Sequence, residues 1–437
     1  MANNPIGKAR ELQRALYRAA KRSATRRFHA LYDKVYWKDI LWAAWKKVEA
    51  NRGGAGVDGE TIEAIKENGV EAFINQLQEE LKEGSYRPQA VRRVNIPKPD
   101  GRERPLGIPA VRDRVVQAAV KIVVEPIFEA DFEPCSYGFR PKRSAHEAVE
   151  TIREKANAGY DWVVEADIES YFDTIDQEKL MEMVAKRISD RRMLKLIRKF
   201  LRAGVLEEGK VRTATAGTPQ GGVLSPLLGN IYLNELDKVW ERRCRQIGIL
   251  VRYADDLVIL CRSERDAREA LRRLEIVMEH LGLKLHPGKT SLVKLKGGQT
   301  GFDFLGFHFR KVKSWRYRRY YLQRWPSQKA MKAIREKVRA ITGPRSRLLK
   351  SLGEVIDEVN PVLRGWGHYF RVVNSAKRFK QVDSYVRERL YLFLSKKHGQ
   401  SGRGWGQRWA RIDFRKEGLY YLSGTVRWYG KVANAAG

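Results

Sequence analysis

The 437-residue chain carries 85 Lys and Arg against 52 Asp and Glu, a formal net charge of +33. Hydrophobic residues make up 43% of it, which excludes a wholly disordered chain. No segment approaches the run of about 18 apolar residues that a membrane-spanning helix needs, so we expect none. A folded chain this basic indicates a polyanionic partner, with nucleic acid as the first candidate and an anionic membrane surface as the second.

The charge is concentrated at the two ends of the chain. Residues 1–50 have a balance of +8 and residues 301–437 one of +22, whereas residues 51–300 have only +3. The ends therefore favour nucleic-acid contact, and the middle must contain carboxylates with another task. Three distant cysteines, with no C-x-x-C pair, predict neither a disulfide framework nor a zinc site. We expect a reducing cytoplasm as the location.

Apolar spacing predicts mainly helices in the first 130 residues. Two basic helices are expected over 7–50 and another over 60–82, with a glycine-rich flexible loop over 51–59 between them. A hairpin is predicted over 91–108, with its turn at Pro99-Asp100-Gly101. A core helix follows from residue 111.

From residue 161 the pattern becomes strand-like. A strand is predicted over 162–168, a hairpin over 251–260, a long helix over 264–281 and another strand over 301–309. Beyond about residue 325 the helical period dominates.

Three aspartates lie at the ends of these apolar strands. Asp167 closes the first one, and Asp255 and Asp256 form the tip of the hairpin. A solvated turn would explain one such acid, but adjacent carboxylates in a partly buried place repel and need a cation. Carboxylates that hold two divalent ions are the usual device for in-line phosphoryl transfer. Oxygen ligands without clustered Cys or His favour Mg²⁺ over zinc.

The motifs around these acids resemble those of bacterial group II intron reverse transcriptase/maturases. The blocks occur in that family's order: Ile96-Pro97-Lys98-Pro99-Asp100-Gly101, Arg104-Pro105-Leu106-Gly107-Ile108-Pro109, Ser136-Tyr137-Gly138-Phe139-Arg140-Pro141, Gly217-Thr218-Pro219-Gln220-Gly221-Gly222, Tyr253-Ala254-Asp255-Asp256 and Phe304-Leu305-Gly306-Phe307. The resemblance covers roughly residues 37–395 and implies an α+β right-hand polymerase. Its fingers and palm would combine an antiparallel sheet with helices, and its thumb would be helical, as maturase domain X.

The resemblance divides the chain into four regions: a basic N-terminal extension over 1–86, fingers and palm over 87–312, a thumb over 313–400, and a C-terminal appendage over 401–437. It also implies roles for individual residues. Asp167, Asp255 and Asp256, with the Ile168 carbonyl, would hold two Mg²⁺ ions, for which Mn²⁺ could substitute. The dNTP would contact Lys98, Arg104, Phe172, Gln220 and Lys289, with the Phe172 ring as a gate against the 2′-hydroxyl. Leu305, Gly306 and Phe307 would be the primer grip.

Template or intron RNA would contact glycines of the N-terminal loop and basic residues near the thumb: Gly53, Gly54, Gly56, Arg316, Arg318, Arg319, Arg324, Arg364 and Arg371. The implied partners are group II intron RNA, an RNA template with a DNA primer, target DNA and dNTPs, without a membrane and with a homodimer left open. The implied function is RNA-directed DNA synthesis together with intron splicing and retromobility. No cysteine follows Cys261, so we expect no HNH endonuclease.

Two other interpretations remain open. A splicing factor with a vestigial polymerase belongs to another class of protein, and the intact acids argue against it. A domesticated enzyme of the same type, acting in defence or repair, is not excluded by any motif in the chain.

Overall fold

A computed structural model describes residues 5–97, 103–207, 210–212, 217, 221–315, 318–400, 409 and 411–427. The chain forms two compact units. The first unit comprises residues 1–144, 166–257 and 269–290, and the second comprises 145–165, 258–268 and 291–437. Helices and antiparallel sheets occur together, which confirms the predicted α+β class.

Most of the described chain is helical. The α-helices are α1 Pro5–Arg22, α2 Tyr32–Val35, α3 Lys38–Ala50, α4 Ile62–Asn68, α5 Val70–Glu83, α6 Val111–Glu129, α7 Ala145–Asn157, α8 Tyr171–Thr174, α9 Gln177–Ala185, α10 Arg191–Arg202, α11 Ser225–Val239, α12 Glu264–Leu281, α13 Gln328–Thr342, α14 Leu352–Phe370 and α15 Ala376–Lys397. Helix α6 is buried on nearly every side, including the charged residues Asp113, Arg114 and Glu125, and is the predicted core helix.

The strands belong to three sheets. They are β1 Val91–Pro97, β2 Glu103–Ile108, β3 Trp162–Asp167, β4 Val205–Glu207, β5 Lys210–Arg212, β6 Ile249–Tyr253, β7 Asp256–Cys261, β8 Ser291–Lys294, β9 Gly301–Phe304, β10 Phe307–Lys313 and β11 Tyr320–Pro326. The sheet orders are β2-β1-β4-β5, β6-β7-β3-β8 and β11-β10-β9. Strands β1 and β2 are antiparallel, with Val94 opposite Leu106, which confirms the predicted hairpin. Its turn lies outside the described residues.

Two predicted elements are wrong because glycine interrupts each of them. The single helix expected over 60–82 is two helices, since Gly69 adopts a φ of 100° and ends α4. The strand expected over 301–309 is two strands, joined by a turn in which Leu305 has a φ of 51° and Gly306 one of 80°. Such left-handed conformations suit glycine, which has no Cβ to clash.

Residues 411–427, which together with Trp409 are the described part of the predicted C-terminal appendage, pack within the second unit. Asp383 of α15 accepts hydrogen bonds from the backbone N–H groups of Leu422 (2.9 Å) and Ser423 (2.8 Å). Asn360 of α14 donates to the Gly418 carbonyl at 2.9 Å, and the Phe414 side chain is buried. This segment therefore completes the helical core of the second unit. Trp405 and Trp428 lie outside the described residues.

The three cysteines are free and buried. Among the described helices, none is long and apolar enough to cross a bilayer.

Candidate functional site

The predicted acids lie where three strand ends meet a turn. Asp167 is the last residue of β3, Asp256 is the first of β7, and Asp255 lies in the short turn that joins β6 to β7. Strands β7 and β3 are neighbours in one sheet. The hairpin predicted over 251–260 is therefore confirmed, with two carboxylates at its tip.

A buried arginine, Arg252, holds the backbone of this turn through a hydrogen bond to the Ala254 carbonyl. The side chain of Arg252 on β6 is fully buried, and its Nε donates to Oδ1 of Asp237 on α11 at 2.8 Å. Its Nη1 donates to the Ala254 carbonyl and to Oδ1 of Asn230, both at 3.0 Å. Burial opposes the charge, but the Asp237 carboxylate outweighs it and raises the pKa of Arg252. The guanidinium therefore stays charged and restrains the residue before Asp255.

The turn itself has a strained conformation that a neighbouring glycine accommodates. Ala254 has a φ of 56°, a left-handed conformation that costs a non-glycine residue roughly 1–3 kcal/mol. A Cβ on Gly138 would lie 2.5 Å from the Ala254 nitrogen, so only glycine fits against this turn. Asn230 donates to the Gly138 carbonyl at 2.8 Å, and Arg252 donates to the Ser136 hydroxyl at 2.7 Å. The Ser136–Pro141 block therefore supports the turn that carries the acids.

The segment after Asp167 comes within electrostatic reach of the turn through Tyr171. This tyrosine on α8 is buried and donates its hydroxyl to the Gly229 carbonyl at 2.6 Å. Its pKa is raised well above the usual value by burial and by the Asp255 carboxylate, against the opposing charge of Arg252. The pKa of Tyr171, four residues after Asp167, therefore responds to the charge of the Asp255 turn.

Asp167 is neutralised by a lysine. Its carboxylate forms an ion pair with Lys289, which lies in the turn Pro287–Lys289 and whose side chain is 54% exposed. The backbone anchors this turn to β3, because the His286 N–H donates to the Asp167 carbonyl at 2.8 Å. Lys289, which is predicted to bind the dNTP, therefore contacts Asp167, which is predicted to bind a metal ion.

The donor set suits a hard divalent cation, but the described side chains do not form a ready-made cage. Among the described residues, no group of three or more His, Cys, Asp or Glu side chains is arranged to hold a metal ion. Carboxylates at the ends of adjacent strands are the oxygen ligands that Mg²⁺ prefers. The predicted carbonyl ligand is also compatible, because the bridge of Ile168 to Leu285 uses the Asp167 carbonyl and the Glu169 N–H, not the Ile168 carbonyl. The ammonium of Lys289 supplies the positive charge at Asp167 in this structure.

Two glycines fix the ends of the loop that contains Gln220. A Cβ on Gly217 would lie 2.7 Å from the Phe172 carbonyl oxygen, and one on Gly221 would overlap the Gly107 carbonyl of β2. Gly217 therefore lies close against α8, and Gly221 lies close against the β1–β2 hairpin. Phe172 is half-buried, and its ring lies 5.1 Å from that of Tyr171. Gln220 lies outside the described residues.

The glycine-rich N-terminal loop is seated on the start of α6. The guanidinium of Arg114 donates to the Gly54 carbonyl at 2.5 Å. A Cβ on Gly56 would overlap the backbone of Ala110, and one on Gly53 would overlap the Arg114 guanidinium. The absence of side chains at Gly53 and Gly56 lets this loop pack closely against α6. The sequence pattern had predicted only that the loop is flexible.

In the second unit, the predicted primer grip is a tight turn. The Leu305 carbonyl accepts a hydrogen bond from the Tyr369 hydroxyl at 2.9 Å, and the Phe307 ring lies 4.9 Å from that of Phe370. Helix α14 therefore holds the turn that joins β9 and β10.

One residue predicted to contact RNA, Arg324, is buried. The Arg324 side chain is only 4% exposed and forms an ion pair with Glu150 of α7. Burial lowers the pKa of Arg324, while the Glu150 carboxylate opposes that shift. Its charge is used inside the second unit.

The other predicted RNA contacts lie nearer the surface. Arg318, Arg319 and Arg364 are exposed, and Arg364 lies 5.3 Å from the centre of the Tyr420 ring. Arg371 is half-buried. Lys98 and Arg316 lie outside the described residues, and for Arg104 only the backbone, paired with Ile96, is described.

Three residues of this site were not predicted to act in it: Arg252, Asp237 and Tyr171. Arg252 stands in an apolar run, where a single charged residue would normally face solvent. Its counter-charge comes from a helix 15 positions earlier, and no local pattern joins them. The signal that could have found it is its place three residues before Asp255.

Two family models match the chain. One describes a reverse transcriptase (RNA-dependent DNA polymerase) and covers residues 96–309, and the other describes the group II intron maturase-specific domain and covers residues 331–410. Protein YkfC of Escherichia coli is 36% identical over 342 residues, which are 70% of this chain and 89% of YkfC. The group II intron-encoded protein LtrA of Lactococcus lactis is 43% identical over 214 residues, which are 48% of this chain and 35% of LtrA.

A solved structure of a partial Cas6-RT-Cas1–Cas2 complex is 25% identical to this chain. The match covers 57% of this chain and 42% of the solved chain, with a TM-score of 0.36.

The extended match to YkfC and the two family models define the class: this chain belongs to the group II intron-encoded reverse transcriptase/maturases. It spans about nine tenths of YkfC but only about a third of LtrA.

Proposed function

We propose that this protein copies RNA into cDNA by two-metal nucleotidyl transfer, and that it binds its intron RNA to promote splicing and retromobility. The observation that carries the proposal is that Asp167 ends β3 and Asp256 begins the neighbouring strand β7, with Asp255 in the adjoining turn that Arg252 restrains. A reverse transcriptase domain and a maturase-specific domain in one chain support both halves of the proposal.

The acids would hold two Mg²⁺ ions, with Mn²⁺ as a substitute, through Asp167, Asp255, Asp256 and the Ile168 carbonyl. When bound, such ions lower the pKa of the attacking primer 3′-hydroxyl and neutralise the leaving pyrophosphate. The chain contributes the placement of these oxygens. Arg252 holds the turn, and Lys289, which pairs with Asp167 here, would be available to the triphosphate when a metal ion is bound to that carboxylate.

The incoming dNTP would lie against α8 and the β1–β2 hairpin. The half-buried Phe172 would stand under the sugar and exclude a 2′-hydroxyl, and Gln220 would lie beside the nucleotide on a loop with pinned ends. Lys98 and Arg104 would supply the charges that a triphosphate requires.

The basic ends of the chain would hold nucleic acid. Residues 1–86 would serve as an extension that contacts structured RNA, with the glycine loop near the template, and residues 87–312 would form fingers and palm. The turn at Leu305, Gly306 and Phe307 would contact the primer. The thumb over 313–400 would hold the primer–template duplex, target DNA and intron RNA through exposed arginines, among them Arg318, Arg319 and Arg364.

The substitution Asp255→Asn tests whether the two activities are separate. We expect cDNA synthesis to be lost, because a neutral amide cannot replace a metal-binding carboxylate, while intron binding and intron splicing survive. Both activities would be measured on one preparation, by primer extension on an RNA template and by release of ligated exons. Loss of both activities from a folded protein would contradict the two-function proposal. Splicing by a wild-type protein that makes no cDNA would instead favour a splicing factor with a vestigial polymerase.

A further inference from the structure

Helix α10 carries one broad basic face, and only part of this face has a carboxylate partner. Arg198 and Arg202 form ion pairs with Glu178 at 3.2 and 2.9 Å. Arg192, Lys195 and Lys199 lie on the rest of the face, and their spacing of three and four residues places their side chains side by side. Like charges at this spacing destabilise a helix by a few tenths of a kcal/mol per pair.

Arg192, Lys195 and Lys199 line a cavity of about 150 Å³ in the first unit, and Arg87 lines it as well. Since one water in the liquid takes up roughly 30 Å³, the cavity can hold a small polyatomic anion. The Tyr32 ring forms part of its wall, with the guanidinium of Arg192 4.2 Å from the centre of that ring.

The cations that line this cavity are oriented by backbone carbonyls. Arg192 donates to the Lys82 carbonyl at 3.2 Å, Lys199 donates to the Tyr86 carbonyl at 3.0 Å, and Arg87 donates to the same carbonyl at 2.9 Å. Carbonyl oxygens fix the direction of a cation but carry no full charge to neutralise it.

No described carboxylate forms an ion pair with Arg87, Arg192, Lys195 or Lys199. Burial and the nearby charges of Arg87 and Lys195 lower the pKa of Lys199, which is the electrostatic cost of bringing these groups together. Capping the C-terminus of α5 would account for Arg192, which reaches its last carbonyls. It would not account for Lys195, which lines the cavity and has no cap carbonyl among its described partners.

We propose that this cavity binds a phosphate group, held by Arg87, Arg192, Lys195 and Lys199. A tetrahedral anion accepts hydrogen bonds from several donors at once and supplies the missing negative charge. The group could be a phosphodiester of bound RNA or a free phosphate. Only the RNA source depends on the function proposed above, because intron RNA is the partner proposed there.

The test compares two double variants of the full chain that each remove two positive charges from α10. Lys195→Gln/Lys199→Gln alters the cavity, and Arg198→Gln/Arg202→Gln alters the carboxylate-paired part of the basic face as a matched control. Calorimetry with inorganic phosphate at constant chloride measures the site directly. We expect the cavity variant to lose phosphate affinity at least tenfold and the control variant to stay within twofold of wild type. The cavity variant should fold at least as stably as wild type, because it relieves like-charge repulsion, and circular dichroism checks this.

Intron RNA binding at several salt concentrations distinguishes the two sources of phosphate. If the cavity holds an RNA phosphodiester, the slope of log K against log salt should fall by about 1 in the cavity variant alone. If inorganic phosphate binding is lost and the slope is unchanged, the ligand is a free phosphate. Equal losses in both variants, or unchanged phosphate affinity in the cavity variant, would overturn the proposal. Primer extension by the wild-type chain tests the polymerase separately, so failure of the two proposals can be told apart.

Discussion

Arg252 and Asp237 form an ion pair with no exposed side-chain surface, directly beneath the turn that carries Asp255. The same guanidinium donates to the carbonyl of Ala254, so one side chain both neutralises a buried acid and restrains the turn. A buried pair of this kind costs desolvation and adds little net stability. Its value here is conformational, because the turn it holds includes a left-handed alanine.

The first prediction separates the contribution of this ion pair to folding stability from its role in positioning the Asp255 turn. Arg252→Met leaves Asp237 buried and unpaired, so unfolding free energy should fall by about 3–5 kcal/mol. The double variant Arg252→Met/Asp237→Leu should recover most of that loss, as measured by urea denaturation. Primer extension should stay low in the double variant, because no group then holds the Ala254 carbonyl. A stable double variant with wild-type extension would show that the pair does not position the acids.

The second prediction concerns the close approach of Gly138. Gly138→Ala places a Cβ 2.5 Å from the Ala254 nitrogen, so the turn must shift. We expect the rate of single-nucleotide addition to fall more than tenfold, which corresponds to about 1.4 kcal/mol in the barrier. Gly365→Ala is the matched control, because a Cβ there meets nothing within 4 Å in α14. That control should melt slightly higher, since alanine favours a helix by up to about 1 kcal/mol over glycine. Equal rates in the two variants would show that Gly138 does not position the turn that carries Asp255.

The third prediction concerns competition between Lys289 and a metal ion for Asp167. Lys289→Gln removes a half-exposed ion pair worth at most about 1 kcal/mol, so Mn²⁺ should bind the nucleotide-free protein up to about fivefold more tightly. Electron paramagnetic resonance of free Mn²⁺ measures this affinity. The KM for dNTP should rise, because the triphosphate loses a cation. If Mn²⁺ affinity is unchanged, the ion pair seen here does not compete with metal in solution.

The fourth prediction follows from a buried carboxyl beside the glycine loop. Burial raises the pKa of Asp113 to about 6, although hydrogen bonds from the Tyr86 hydroxyl and the Gln89 N–H oppose the shift. The folded state therefore binds this proton more tightly than the unfolded state. Stability contributed by this group should rise as pH falls through 6, by about 1 kcal/mol between pH 7 and pH 5.

The difference between wild type and Asp113→Asn isolates that contribution, because the other carboxyl groups titrate in both proteins. Urea midpoints at pH 5 and pH 7 measure it. If the two proteins show the same change with pH, Asp113 does not titrate in this range.

Much of the fold could be predicted because local pattern and tertiary environment agree there. The hairpin over 251–260 and the helix over 264–281 have apolar periods that match their final burial. The wrong elements fail at Gly69 and at Leu305-Gly306, where a left-handed residue breaks an otherwise continuous apolar period. The spacing of apolar residues reports which side chains are buried, but it gives no information about the backbone angle φ.

The burial of charged residues could not be predicted, because it depends on partners remote in sequence. Arg324 occurs among basic and aromatic residues and was expected on an RNA-binding surface. Its side chain is instead buried and forms an ion pair with Glu150, 174 positions away. Arg252 is buried for the same kind of reason by Asp237. The acids could be singled out from the sequence because Asp167 closes an apolar strand and Asp255 and Asp256 separate two others.

We propose that the Asp255 turn is the catalytic centre of an RNA-directed DNA polymerase. The most direct test is the rate of single-nucleotide addition to a DNA primer on an RNA template in Mg²⁺, for wild type, Asp255→Asn and the exposed control Asp357→Asn. We predict that Asp255→Asn is slower by at least a thousandfold, about 4 kcal/mol, while Asp357→Asn equals wild type. A rate for Asp255→Asn within tenfold of wild type would contradict the account.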